Sequence, residues 1–219
     1  PVSALLDRLT TLFRWIVDMQ PDAGELWGIS ISVPGVVTDG GESFFQNGTP
    51  PVLPGWESFP LVEKLVEGFD VPVWLRSSVE TMTMGEFHSG AGVGHRAMLF
   101  VKVGKRIGAG LVSDGTLFRG AQGAVGLIGS VPVSSGERQG TLETVAGSEA
   151  IIREGRIQAE KGLSPILAEH VRRGSEVTAI EVAQAAHMGD AAAIDILSQS
   201  GRMIGQVVAT LANMLNPEL

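Results

Sequence analysis

The chain has 219 residues, 44% hydrophobic and 18% charged, with a net charge of -8. This is the composition of a globular protein with room for one large domain or two small ones, neither disordered nor coiled-coil. The acidic balance excludes a phosphate backbone gripped by this segment itself, and the lack of cysteine excludes disulfides and thiolate metal sites.

Leu5, Leu9, Leu12, Ile16 and Met19 recur at helical spacing, so the chain is expected to open on an amphipathic helix. PDAG interrupts it, LWGISISV (26–33) reads as a short apolar strand, and VPG and TDGG read as turns. The proline-rich stretch 44–60 reads as an ordered loop, PLVEKLVEGF (60–69) as a helix and VPVWL (71–75) as a strand. A helix over 79–87 and a buried strand AMLFVKV (97–103) follow. Asp114 and Gly115 between two apolar segments predict a tight hairpin. From Thr141 onward the pattern is helical. Thr178 and Glu181 have the spacing of a capping box, and Asp190 is a good N-cap for a long helix reaching Met214. Strands followed by helices indicate an α/β architecture.

No apolar run approaches the roughly 18 residues of a membrane span, and the N-terminus lacks the features of a signal peptide. A cytoplasmic protein without a membrane partner is expected. The chain begins on a helix, ends at NPEL and has few strands for an α/β sheet, so truncation at both ends is also expected.

The segment VPVWLRSSVETMTMGEFHSG (71–90) places Ser77 and Ser78 where a strand feeds a helix, a position at which ligands and catalytic groups gather in α/β proteins. Neither serine can act as a base unaided. Ser77 and Glu80 have capping-box spacing, worth roughly 1 kcal/mol, and both hydroxyls can also contact a ligand. Lys105 and Arg106 read either as a solvated pair at a strand end or as contacts for an anionic effector such as a sugar phosphate. His88, His95, His170 and His187 lack the spacing of a metal site or a triad, and neither metal nor cofactor is expected.

The run GKRIGAGLVSDGTLFRGAQGAVGLIG (104–129) is dense in glycines at particular spacings. With ISVPGVV (31–37), LPGW (53–56), GEFHSGAG (85–92), TLETVAGSEAI (141–151) and LANMLNPEL (211–219), the chain resembles the ROK family, which joins bacterial sugar kinases to sugar-responsive transcriptional repressors. The resemblance runs from about Leu26 to the end. It implies the actin-like ATPase (ribonuclease H-like) fold, two lobes around a cleft. Residues 1–77 would be a remnant of the first lobe and 78–219 the second. The family's first phosphate-binding strands, its last glycine-rich strand and the repressors' helix-turn-helix have no counterpart here. DNA would be reached only through a domain outside this chain.

The resemblance also assigns roles, and several positions depart from the family. Ser77 and Ser78 stand where the kinases carry an asparagine and the aspartate that activates the sugar hydroxyl. Gly104, Lys105 and Arg106 replace a glycine-threonine-glycine phosphate loop. Leu127 and Ser130 replace a glutamate and a histidine that hold sugar hydroxyls and a structural zinc, and Ser134, Gly136 and Thr141 fall where zinc cysteines would. Glu143 matches a sugar-contact glutamate, Gly35 follows Pro34 in a turn that in the family approaches the sugar, and Asn47 sits in the loop before LPGW, from which a polar side chain could reach the cleft. The expected ligand set is therefore Gly35, Asn47, Ser77, Ser78, Ser130 and Glu143, with Lys105 and Arg106 as anion contacts. This pattern implies an effector-sensing and dimerisation domain of a sugar-responsive regulator, without kinase activity. A diverged sugar kinase using Glu80 or Glu86, and a dimerisation module without ligand, are the alternatives. An apolar stripe of Ile194, Leu197, Ile204, Val208 and Leu211 suggests a homodimer.

Overall fold

In the computed structural model, which describes residues 2–20, 22, 24–38, 40–41, 43–46, 51–56, 59–135 and 138–219, the N-terminal periodicity forms helix α1, Val2–Asp18. The face it packs differs from the expected one. Val2, Leu6, Leu9 and Phe13 lie against the core, whereas Leu5, Leu12, Ile16 and Met19 are exposed. Both stripes have helical spacing, so the choice falls to neighbours. One is Phe69, whose ring meets that of Phe13 edge-on at 6.0 Å.

The chain divides into two compact units, Pro1–Gly94 with Leu111–Val125, and His95–Gly110 with Gly126–Leu219. In the first, β1 (Ile29–Val33) and β4 (Val73–Ser77) pair in parallel, Ile29 opposite Val73 and Val33 opposite Ser77. Parallel strands need a crossover. The chain makes it through the antiparallel pair β2 (Val36–Val37) and β3 (Phe44–Phe45) and then helix α2 (Leu61–Phe69). β4 points Val73, Leu75 and Ser77 inward and Trp74 and Arg76 outward. It runs past the expected end at Leu75, because Arg76 and Ser77 continue the ladder opposite Ser32 and Val33. Helix α3 (Ser78–Ser89) starts at the next residue. Ile29, Val33, Val37, Phe44, Leu61, Leu65, Val73 and Leu75 form the core of this unit.

Strands β5 (Met98–Lys102), β6 (Gly108–Ser113) and β7 (Thr116–Leu117) form one sheet in that order. Asp114 at φ 51 and Gly115 at φ 77 close the expected two-residue hairpin, both in the left-handed region that a primed turn requires.

In the second unit a 3-10 turn (Ile128–Ser130) leads into the hairpin β8 (Pro132–Ser135) and β9 (Arg138–Thr141). Then come α4 (Leu142–Ala146), α5 (Ser148–Glu160), α6 (Pro165–Arg172), α7 (Ala179–His187) and α8 (Ala191–Leu215). Gly126 sits at φ 88, and a Cβ on it would stand 1.8 Å from the Ala109 carbonyl oxygen. Only glycine allows the Ala109 N–H to donate to Gly126 O at 2.8 Å. The capping box of α7 forms: the Thr178 N–H donates to Glu181 Oε2 at 3.0 Å, and the Ile180 N–H to Thr178 Oγ1 at 3.2 Å. Asp190 caps α8 through the Ala193 N–H at 3.0 Å.

Helix α8 serves two clusters. Ala193 and Ile196 pack with Leu167, Val177 and Val182, while Met203 and Val207 pack with Ile107, Leu142 and Val145. Leu197, Ile204 and Leu211 join these clusters too, while Ile194 is exposed and Val208 is half-buried outside them. Most of the stripe expected to meet a partner is thus taken up inside the unit. Among the described residues, no helix is long and apolar enough to cross a membrane.

Candidate ligand site

Because Val33 stands opposite Ser77, the turn leaving β1 at Gly35 and the step from β4 into α3 lie at the same end of a parallel pair. Gly35 has φ 144, and the Phe45 carbonyl oxygen lies 2.4 Å from where a Cβ would be. The approach of β3 accounts for this glycine by itself.

Ser77 is 9% exposed and is the N-cap of α3, yet its side chain makes no cap hydrogen bond. The expected box with Glu80 is not formed. Glu80 instead receives Arg119 Nε at 2.8 Å on Oε1, and Arg119 Nη2 donates to the Val37 carbonyl at 3.1 Å. A charge-assisted bond to a guanidinium outcompetes one to a neutral N–H. Glu80 Oε2 is buried without a partner among the described residues, where the Ser77 and Ser78 hydroxyls also have none. Asn47 lies outside the described residues. The Glu80–Arg119 pair, 39 positions apart, was not legible in the sequence, since no local pattern links a first-turn carboxylate to an arginine beyond a hairpin.

In the second unit, Arg106 Nη1 donates to Glu143 Oε1 at 2.5 Å, with side chains 22% and 12% exposed. Glu143 lies in the first turn of α4. A Cβ on Gly129 would stand 2.7 Å from Glu143 Oε2, so the turn carrying Gly129 and the exposed Ser130 lies against this carboxylate. Glu143 and Arg106 are therefore brought together, with the turn that carries Ser130 beside the carboxylate, while Gly35, Ser77 and Ser78 share only one end of the β1–β4 pair in the first unit. Lys105 Nζ lies 3.5 Å from Glu149 Oε1, an exposed pair screened by solvent. The two cations read as anion contacts each face a carboxylate.

The residues that the resemblance sets at zinc positions do not fit the metal. Ser130, Ser134 and Thr141 offer only hydroxyls, and Thr141 Oγ1 lies 3.1 Å from Thr144 Oγ1. Zinc favours thiolate and imidazole. Gly136 lies outside the described residues, and among those described no cluster of acidic or histidine side chains could hold a metal ion. Two open grooves of about 440 and 630 Å³ lie along α6 and α7, and none of the candidate residues lines them.

Hydroxyl, carboxylate and guanidinium groups can together donate to and accept from a polyhydroxylated ligand. At the step from β4 into α3, however, neither serine can take a proton from one.

The ROK family model matches residues 3–219, and the chain belongs to the ROK family. It has that family's actin-like ATPase fold. It is 32% identical to a glucokinase of Halalkalibacterium halodurans, over 89% of this chain and 60% of the relative. It is 29% identical to the DNA-binding transcriptional repressor Mlc of Escherichia coli, over 98% of this chain and 52% of the relative. It is 30% identical to the dual regulator NagC of Escherichia coli, over 96% and 51%. The chain thus spans a little over half the length of these curated relatives. Among solved structures, a ROK regulator homologous to Mlc superposes with a TM-score of 0.78 at 23% identity, covering 98% of this chain and 54% of that one. A ROK glucokinase from Streptomyces griseus superposes with a TM-score of 0.74 at 23% identity, covering 96% and 69%.

Proposed function

We propose that this chain is the effector-sensing part of a sugar-responsive ROK-family transcriptional regulator and that it does not phosphorylate sugars. Ser78 is the observation that carries the reading. Phosphoryl transfer to a hydroxyl uses a carboxylate that accepts its proton, and at the start of α3 this chain offers a hydroxyl instead. Glu80, the nearby first-turn carboxylate, is held by Arg119. The rewritten turn at Lys105 and Arg106, facing Glu149 and Glu143, adds support. So do the relatives named as repressors, among them Mlc, NagC and a xylose repressor.

Such a domain binds a small polyhydroxylated effector and leaves DNA to another segment of the protein. It works as a homodimer, for which Ile194, Met214 and Leu215, exposed on α8, offer apolar contact area. Light scattering that found only the 23.0 kDa monomer at micromolar concentration would count against the dimer.

A diverged sugar kinase is the second reading, favoured by the 32% identity to a glucokinase. Two measurements test the regulator reading, and the second separates it from the kinase. A thermal-shift screen with glucose, N-acetylglucosamine and xylose should raise the melting temperature with at least one sugar. A coupled ADP-release assay with the same sugars should stay at background. Sugar-dependent turnover would sink the regulator reading.

A further inference from the structure

The turn between β5 and β6 carries two adjacent cations, and three ties fasten it to the helices that follow. Arg106 Nη1 donates to Glu143 Oε1 at 2.5 Å in a partly buried setting. Lys105 Nζ lies 3.5 Å from Glu149 Oε1 at the surface. The Ser148 N–H donates to the Gly104 carbonyl at 3.0 Å. Glu143 opens α4, and Ser148 and Glu149 open α5, so both helix starts hold the turn.

An anionic group arriving at Arg106 would meet, beside the guanidinium, a carboxylate already in a charge-assisted bond to it, and the two like charges would repel at close range. A hydroxyl meets no such conflict. It can donate to Glu143 while accepting from the guanidinium, leaving the local charge balanced. We infer that Arg106, through its pairing with Glu143, is a specificity-determining residue that makes this face of the second unit accept neutral sugars and exclude sugar phosphates. The inference rests on the effector reading above. It also reverses the sequence-based expectation for Arg106, because the anion such a cation would capture is already supplied by Glu143.

The test measures melting-temperature shifts of the whole chain with glucose, N-acetylglucosamine and their 6-phosphates. Each variant is compared with its own ligand-free melting point, so a destabilised variant does not imitate a lost response. The unmodified chain should respond to a neutral sugar and at least tenfold more weakly to its phosphate. Glu143→Gln withdraws the negative charge, so it should weaken the neutral-sugar response and create one to the phosphate. Arg106→Met added to Glu143→Gln should abolish the phosphate response again. Equal response of the unmodified chain to a sugar and its phosphate, or a phosphate response in Glu143→Gln that survives Arg106→Met, would overturn the specificity inference while leaving the effector reading intact. No response to any sugar in any variant would remove both.

Discussion

Arg119 Nε donates to Glu80 Oε1 across 2.8 Å, and this bond draws the first-turn carboxylate of α3 away from the backbone it is spaced to cap. It also ties the segment after β7 to α3 within the first unit, with a second bond from Arg119 Nη2 to the Val37 carbonyl.

Stability should therefore depend on Arg119 and hardly at all on the Ser77 hydroxyl. Ser77→Ala removes a hydroxyl that forms no cap, so the change should be neutral to within about 0.5 kcal/mol, below the ~1 kcal/mol of a working cap. Arg119→Met leaves the Glu80 carboxylate without its cation and should destabilise by roughly 1–3 kcal/mol. Urea unfolding midpoints measure both, and a greater loss for Ser77→Ala would reverse the assignment.

Ser164 and Asp190 are buried and hydrogen-bonded at 2.7 Å, joining the N-caps of α6 and α8. The Leu167 N–H donates to Ser164 Oγ at 3.3 Å. A double-mutant cycle of Ser164→Ala and Asp190→Ala should show coupling of about 1 kcal/mol, since each single change also damages the cap left behind. Additive losses would mean that the two caps act independently.

Two glycines should respond oppositely to alanine. Gly85 lies on the exposed side of α3 with nothing within 4 Å of an added Cβ, so Gly85→Ala should stabilise by roughly 0.5–1 kcal/mol. At Gly126 the Ala109 carbonyl oxygen would be 1.8 Å away, and Gly126→Ala should leave little soluble folded protein. Circular-dichroism melts of both variants check the contrast, which a well-folded Gly126→Ala would contradict.

The Thr178 side-chain hydrogen bond, helped by the backbone N–H groups of Glu181 and Thr178, holds the Glu181 carboxyl below the ordinary carboxylate range. The folded state thus favours the ionised form. Its contribution is present above the ordinary carboxylate pKa and is lost as the pH falls through the lowered folded value. Amide exchange at the start of α7 should accelerate across that acidic window in the unmodified chain. In Thr178→Val the change should be smaller and shifted toward the ordinary range; an identical pH profile would refute the linkage.

If the chain is not a kinase, as proposed, a carboxylate introduced at Ser78 alone should not produce turnover. Losing a general base typically removes 10²–10⁴ in rate, about 3–5 kcal/mol of barrier. Catalytic groups act as a unit, so Ser78→Asp alone should stay at background in the ADP-release assay while Arg106 and Lys105 keep their carboxylates. Turnover in Ser78→Asp would show that the base was the only deficit.

By itself the sequence determined the elements whose cause is local. The positive φ needed at Asp114 and Gly115, the capping pair Thr178 and Glu181, and the cap Asp190 each lie within a few residues of what they specify, so their spacing predicted the observed structure. The ordered set of glycine-rich segments likewise identified the family before any coordinates. Only the tertiary structure decided which of two helical stripes α1 buries, because both have the same period and the choice depends on what Phe13, Leu6 and Leu9 meet. The tertiary structure also decided the partners of the charged groups. Glu80 has a local use as a cap and Arg106 a local reading as an anion contact, but each is claimed by an opposite charge 39 or 37 positions away. An ion pair is set by distance in space, and no period or spacing along the chain encodes it.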